Sequence, residues 1–184
     1  MNWNWKSPSW KKSVPAVDFI TAFGRLLLDG VMRDALAANP RAMAAQLNLC
    51  ESDCAALAQL IPADLEFQAR VLIRKRLDIV RRIIPETCRL LGTETWMAFH
   101  AYARTRWPSG EQSAAHDAHG FCCHLQRHRP DSLCDAERNR LCFAFSQDRF
   151  ALHFIRRKQT KSALQFFLRF GPQCWRETTF YFRL

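Results

Sequence analysis

Apolar residues recur every three or four positions through the first two thirds of the 184-residue chain, and this spacing predicts α-helices. Proline residues mark several of the predicted starts, because proline fits the first turn of a helix. Pro62 precedes the longest of these segments. The pattern places helices over residues 17–28, 31–38, 41–47, 51–60, 63–84, 85–91, 93–103 and 111–128.

The pattern changes from helical spacing to alternation after Pro130 and a short predicted helix over 133–137. Large apolar residues then occupy every second position, which is typical of strands with one buried face. We expect an α+β fold, in which an N-terminal helical bundle (17–137) precedes an antiparallel sheet (138–184) and a basic, Trp-rich segment (1–16) precedes both. The predicted sheet has about four strands, over 141–146, 150–155, 164–170 and 175–184.

Charge is distributed unevenly between these parts. The chain has 27 Lys and Arg against 17 Asp and Glu, a formal charge of +10. Residues 1–12 carry +3, residues 13–137 carry −1, and residues 138–184 carry +8. The sheet segment is therefore expected to have one basic, partly apolar face that attracts an acidic partner, and a solvated basic face without a partner is the alternative.

Several function classes lack their signatures in the sequence. The chain is shorter than the roughly 250 residues of a TIM barrel. Its six glycines form no phosphate-binding loop, and no Gly-x-Ser-x-Gly motif occurs. No signal peptide or apolar run of membrane-spanning length is present, so we expect a cytoplasmic protein whose eight cysteines are small buried apolar residues.

Two features of the helical part suggest particular chemistry. Arg76 interrupts the apolar stripe of the longest helix, where a buried guanidinium needs a carboxylate or several carbonyl oxygens. The segment 111–128 brings histidine and cysteine together at helical spacing, a weak zinc signal because no second ligand pair follows. A packed helix without metal is the expectation, and the candidate ligands are His116, His119, Cys122 and Cys123.

The edges of the predicted sheet offer a second kind of binding. A short antiparallel meander leaves unpaired backbone groups along its outer strands, and an extended peptide can pair with them.

An ordered set of motifs gives the chain a family resemblance over roughly residues 17–128. It resembles the small helical partner proteins of multinuclear non-heme iron oxidases, such as those of the thiaglutamate and methanobactin pathways, and the thiaglutamate partners most. The Trp-rich N-terminus and the histidine and cysteine cluster depart from the pattern. The motifs are Leu26–Gly30 with Arg33, Asn39–Ala44, Leu47–Leu49, Leu72–Arg76 and Val80–Gly92.

The resemblance implies a non-catalytic subunit with no cofactor of its own. It implies that a separate TIM-barrel oxidase subunit holds the iron and modifies a peptide cysteine, while this chain recruits the leader region of the ribosomally made precursor peptide. The expected peptide-binding residues are Arg156, Arg157, Lys158, Trp175, Arg176, Thr178, Phe180 and Phe182.

Two other functions stay open. A nucleic-acid-binding protein is one, through the basic helix at 70–82, although residues 13–137 are slightly acidic overall. A small zinc-binding protein is the other, through the histidine and cysteine cluster.

Overall fold

The structure is a computed structural model that describes residues 18–108, 110, 113–155, 162–172 and 174–182. Contacts divide the chain into two compact units, the first ending at Glu66 and the second beginning at Phe67. Nine α-helices and three strands lie in the described ranges. The α+β class predicted from the sequence is confirmed, since the helices precede a C-terminal antiparallel sheet.

The first unit is built from short helices with polar caps. Asp18, Asp29 and Asn39 accept backbone N–H bonds at the starts of three of them, because a short side-chain oxygen there can reach the free donors of the first turn. The buried guanidinium of Arg33 donates to Glu66 at 2.7 Å. The helices are α1 (Phe19–Leu28), α2 (Gly30–Ala38), α3 (Pro40–Gln46) and α4 (Glu51–Ala58).

Helix α5 (Pro62–Ile83) begins before the boundary at Glu66 and continues into the second unit. There its apolar stripe joins a core in which Phe99 and Phe121 meet edge to face, with ring centroids 5.1 Å apart. None of the helices in the described ranges has the length and apolar character needed to cross a membrane. The remaining helices are α6 (Pro85–Leu91), α7 (Thr95–Ala103), α8 (Ser113–His128) and α9 (Asp135–Phe145).

Three antiparallel strands follow, in the order β1-β2-β3. They are β1 (Phe150–Ile155), β2 (Ser162–Arg169) and β3 (Trp175–Phe182). The central strand pairs with both neighbours, so Leu152 lies opposite Phe166, and Phe166 lies opposite Thr178.

The prediction of four strands is wrong, because residues 141–146 do not form a strand. Residues 141–145 instead complete α9. The predicted boundary between the helical bundle and the sheet, between residues 137 and 138, lies within this helix. Alternating apolar residues misled the interpretation because α9 is buried on two sides. Leu141 belongs to the core of the helices, whereas Phe143 stacks on Phe167 of the sheet with ring centroids 5.0 Å apart. Alternate residues of a helix lie about 200° apart, so a helix between two layers imitates the period of a strand.

A buried carboxylate ties α9 to the start of α6. Glu137 accepts the backbone N–H groups of Glu86 and Thr87, both at 2.8 Å. The residue before α6, Ile84, supplies no side-chain cap, so Glu137 fulfils that role from a distant part of the sequence.

We expect Glu137→Ala to lower the free energy of unfolding by about 3 kcal/mol, because it leaves two N–H donors without their acceptor. Glu137→Gln keeps one acceptor oxygen and should lose roughly half as much. Urea denaturation monitored by circular dichroism measures both, and Asp131→Ala, which removes an exposed carboxylate, is the control. Equal stability of Glu137→Ala and Asp131→Ala would contradict the role given to Glu137.

Candidate functional site

The inner face of the sheet packs on α9 through polar and aromatic contacts. Gln165 has no exposed surface, donates to the carbonyl of Ala136 at 3.1 Å, and accepts from Asn139 at 3.2 Å. The rings of Phe167 and Trp175 both contact Phe143 of α9. These contacts fix which face of each strand turns inward.

The opposite face of the sheet, here called the outer face, is strongly apolar and exposed. Four of its side chains expose more than half of their surface: Phe150 (68%), Leu152 (59%), Phe154 (54%) and Phe180 (59%). The register places eleven described residues on this face, namely Phe150, Leu152, Phe154, Ser162, Leu164, Phe166, Leu168, Arg176, Thr178, Phe180 and Phe182.

The expectation of a basic outer face is corrected by this arrangement, since Arg176 is the one cation on the described part of that face. Other arginines of the segment serve internal contacts. Arg169 donates to the carbonyl oxygens of Phe143, Ser146, Asp148 and Pro172.

Arg140 forms an ion pair with Glu177, with 2.6 Å between nitrogen and oxygen. Burial alone would raise the pKa of Glu177, but hydrogen bonds from Arg140 and Gln165 outweigh it, and the pKa falls below its usual value. Glu177 is therefore an ionised carboxylate already satisfied on the inner face.

The outer edge of β3 has no strand paired to it among the described residues. The predicted peptide-binding residues divide between the two faces of this strand. Arg176, Thr178, Phe180 and Phe182 share the outer face, whereas Trp175 lies on the inner face against Phe167. Arg156, Arg157 and Lys158 lie outside the described residues.

Arg76 meets a carboxylate in the second unit. Two of its nitrogens donate to the two oxygens of Asp117, each at 2.8 Å, and its side chain is 11% exposed. The ring of Trp107 stacks against the guanidinium, 4.5 Å from ring centroid to Arg76 Cζ. This bidentate pair satisfies the buried charge that interrupts the apolar stripe.

The structure brings two of the four candidate metal ligands, His119 and Cys123, into contact and buries Cys122 in the core. Cys122 is fully buried in the helical core, and burial raises its pKa to about 12. His119 Nε2 contacts the sulfurs of Cys123 at 3.8 Å and Cys142 at 3.7 Å, while His116 lies against Phe145. Burial and His116 lower the pKa of His119. Nowhere in the described ranges are three or more His, Cys, Asp or Glu placed to hold a metal ion.

Sequence reasoning missed two features. Cys142 joins His119 because residues 141–145 are helical, which the alternating pattern concealed. A groove in the second unit is lined by Phe67, Arg70, Val71, Arg74 and Trp96, and Arg74 lies over the Trp96 ring at 5.2 Å. The helical spacing of Phe67, Arg70 and Arg74 was a usable signal for that groove.

The described residues thus form a mostly helical protein with a small C-terminal sheet, and the outer face of this sheet is apolar and exposed. A family model described as "SCO6045-like, C-terminal domain" matches residues 58–127, less than half of the chain, from the end of the first unit almost to the end of α8. No curated protein and no solved structure matches the chain.

We expect Asp117→Ala to destabilise the protein by about 3–5 kcal/mol, because it leaves the Arg76 guanidinium buried without its partner. The double variant Arg76→Met/Asp117→Leu removes both charges and should recover most of that loss. Thermal and urea unfolding of the two variants test this expectation. Equal instability of the single and double variants would show that packing at this position, rather than charge pairing, sets the stability.

Proposed function

We propose that the chain is a non-catalytic partner subunit that binds a peptide by strand addition at β3 and presents it to a TIM-barrel multinuclear iron oxidase. The observation that supports this proposal most is the outer edge of β3, which no strand in the described ranges pairs with and which lies beside the exposed apolar outer face. An extended peptide there gains main-chain hydrogen bonds from the edge and apolar contacts from the face.

The size and chemistry of the outer face also favour a binding role. Contiguous exposed apolar patches on proteins commonly mark interaction sites, because water solvates them poorly. Phe150, Leu152, Phe154 and Phe180 belong to one such patch, since β2 pairs with both edge strands and Leu164 lies between Phe154 and Phe180.

The oxidase part of the proposal comes from the family resemblance, with motifs from Leu26–Gly30 to Val80–Gly92. In this proposal the iron is held by the partner subunit, this chain binds no cofactor, and the bound leader belongs to a ribosomally made precursor whose cysteine is oxidatively modified. The neighbouring genes provide the first test. Genes for a TIM-barrel iron enzyme and a short precursor peptide would support the proposal, and their absence would count against it.

A matched pair of variants tests the edge. Phe180 on β3 and Leu152 on β1 are each 59% exposed and lie on the same face at opposite edges of the sheet. We expect Phe180→Ala to weaken leader-peptide binding to the complex by about tenfold, since it removes an apolar side chain that the peptide would cover. Leu152→Ala should leave binding unchanged, because β2 and β3 separate Leu152 from a peptide paired with the outer edge of β3.

Isothermal titration of the precursor's leader peptide into the complex measures both affinities, and thermal unfolding checks that each variant is folded. A loss of affinity caused by Leu152→Ala alone would indicate that the peptide binds at β1 instead. Leader binding that is no tighter for the complex than for the oxidase alone would contradict the proposal.

Nucleic-acid binding is a second candidate, favoured by the exposed cations Arg70, Arg74, Lys75, Arg81 and Arg82 of α5. Asp78 offsets one of them through an ion pair with Arg81 at 3.6 Å. We expect only charge-driven binding of a DNA duplex, which should fall steeply between about 50 and 200 mM salt. Mobility shifts over a salt series measure this, and binding that persists at the higher salt with a sequence preference would favour the second candidate.

A further inference from the structure

The outer face gives β3 a chemical gradient along its length. Arg176 is exposed near the start of the strand, Thr178 follows, and Phe180 and Phe182 occupy the end. Phe154 meets Phe182 with ring centroids 5.9 Å apart, so the aromatic end is continuous with the apolar residues of β1. A strand paired with β3 would meet a cation at one end and aromatic rings at the other.

The charge of Arg176 is not used by the described part of the protein. No ion pair among the described residues includes it. Its neighbour Glu177 turns to the inner face and pairs with Arg140. Arg176 is thus placed to meet an acidic side chain on an added strand, since the outer edge of β3 beside it has no paired strand in the part of the chain that the structure describes.

We infer, building on the proposed function, that the bound peptide runs antiparallel to β3 and has the pattern apolar-x-apolar-x-Ser/Thr-x-Asp/Glu. Both existing strand pairs are antiparallel, and the side-chain period of two places every second peptide residue on the outer face. Read from its N-terminal end, the peptide sets apolar residues opposite Phe182 and Phe180, a hydroxyl opposite Thr178, and a carboxylate opposite Arg176.

The alternation also specifies the register of the peptide. A slip of one residue moves both apolar side chains and the carboxylate to the inner side, where they would neighbour Glu177 and Thr179 of β3. In the slipped register, the carboxylate would face the ionised Glu177. In the correct register, a basic residue at the last position of the pattern would face Arg176. Both arrangements place like charges close together, which disfavours them.

Fluorescence anisotropy of labelled synthetic peptides with the full chain tests the pattern. The probe has the core Ile-Ser-Val-Ser-Thr-Ser-Glu, and its comparators carry Lys in place of Glu, the same residues in reverse order, or the two apolar residues side by side. We expect the Lys peptide to bind about fivefold more weakly, with the difference shrinking at high salt.

Arg176→Glu should invert this preference, so that the Lys peptide binds better than the Glu peptide. Arg149→Glu makes the same charge change at an exposed position just before β1 and should leave the preference as it is. Inversion by Arg176→Glu alone would support the inference.

The other outcomes separate the inference from the proposed function. Equal affinity for the Glu and Lys peptides, or no binding of the probe while the leader peptide still binds, would overturn the pattern and leave strand addition standing. Tightest binding of the reversed peptide would overturn the antiparallel direction. Failure of both the probe and the leader peptide to bind would overturn the proposed function together with the inference.

Discussion

The buried amide of Gln165 holds the sheet to the helices. An amide with no exposed surface must find its partners inside the protein, and Gln165 finds them in Ala136 and Asn139 of α9 and in Glu177 of β3, the last at 2.8 Å. Because side chains alternate along a strand, turning Gln165 and Phe167 inward forces their neighbours in β2 outward. The exposed apolar face is therefore a direct consequence of the contacts that Gln165 and Phe167 make with α9.

The helices of the chain could be predicted from sequence because their signals are local. Asp18, Asp29 and Asn39 cap three of them, and α1 and the longest helix, α5, have an apolar stripe with a clear helical period. Helix α9 has no such stripe, since one side meets the helical core and the other meets the sheet. The alternation of apolar residues in α9 arises because the helix packs against both the helical core and the sheet, and the sequence alone does not reveal these two contacts.

The candidate site shows the same division between local and long-range information. That Phe180 and Phe182 share one face of β3 follows from alternation within one strand and was predictable. The use of Arg140 and Arg169 in internal contacts was not, because Glu177 and the carbonyl of Phe143 lie 37 and 26 residues away in sequence. Charge counted along the chain therefore overstated the charge on the described part of the outer face.

Because these arginines are used in internal contacts, the main force that would hold a peptide on the outer face is apolar rather than electrostatic. An exposed ion pair contributes about 0–1 kcal/mol, whereas burying one large apolar side chain contributes about 1.5–3 kcal/mol. Phe180 and the rings beside it would thus supply most of the affinity, together with the backbone of β3. Arg176 would add little to affinity, but as the single cation on the described outer face it distinguishes one end of the strand from the other. A charge that is weak in affinity can still determine direction and register, because in the wrong alignment it meets an apolar group or a like charge.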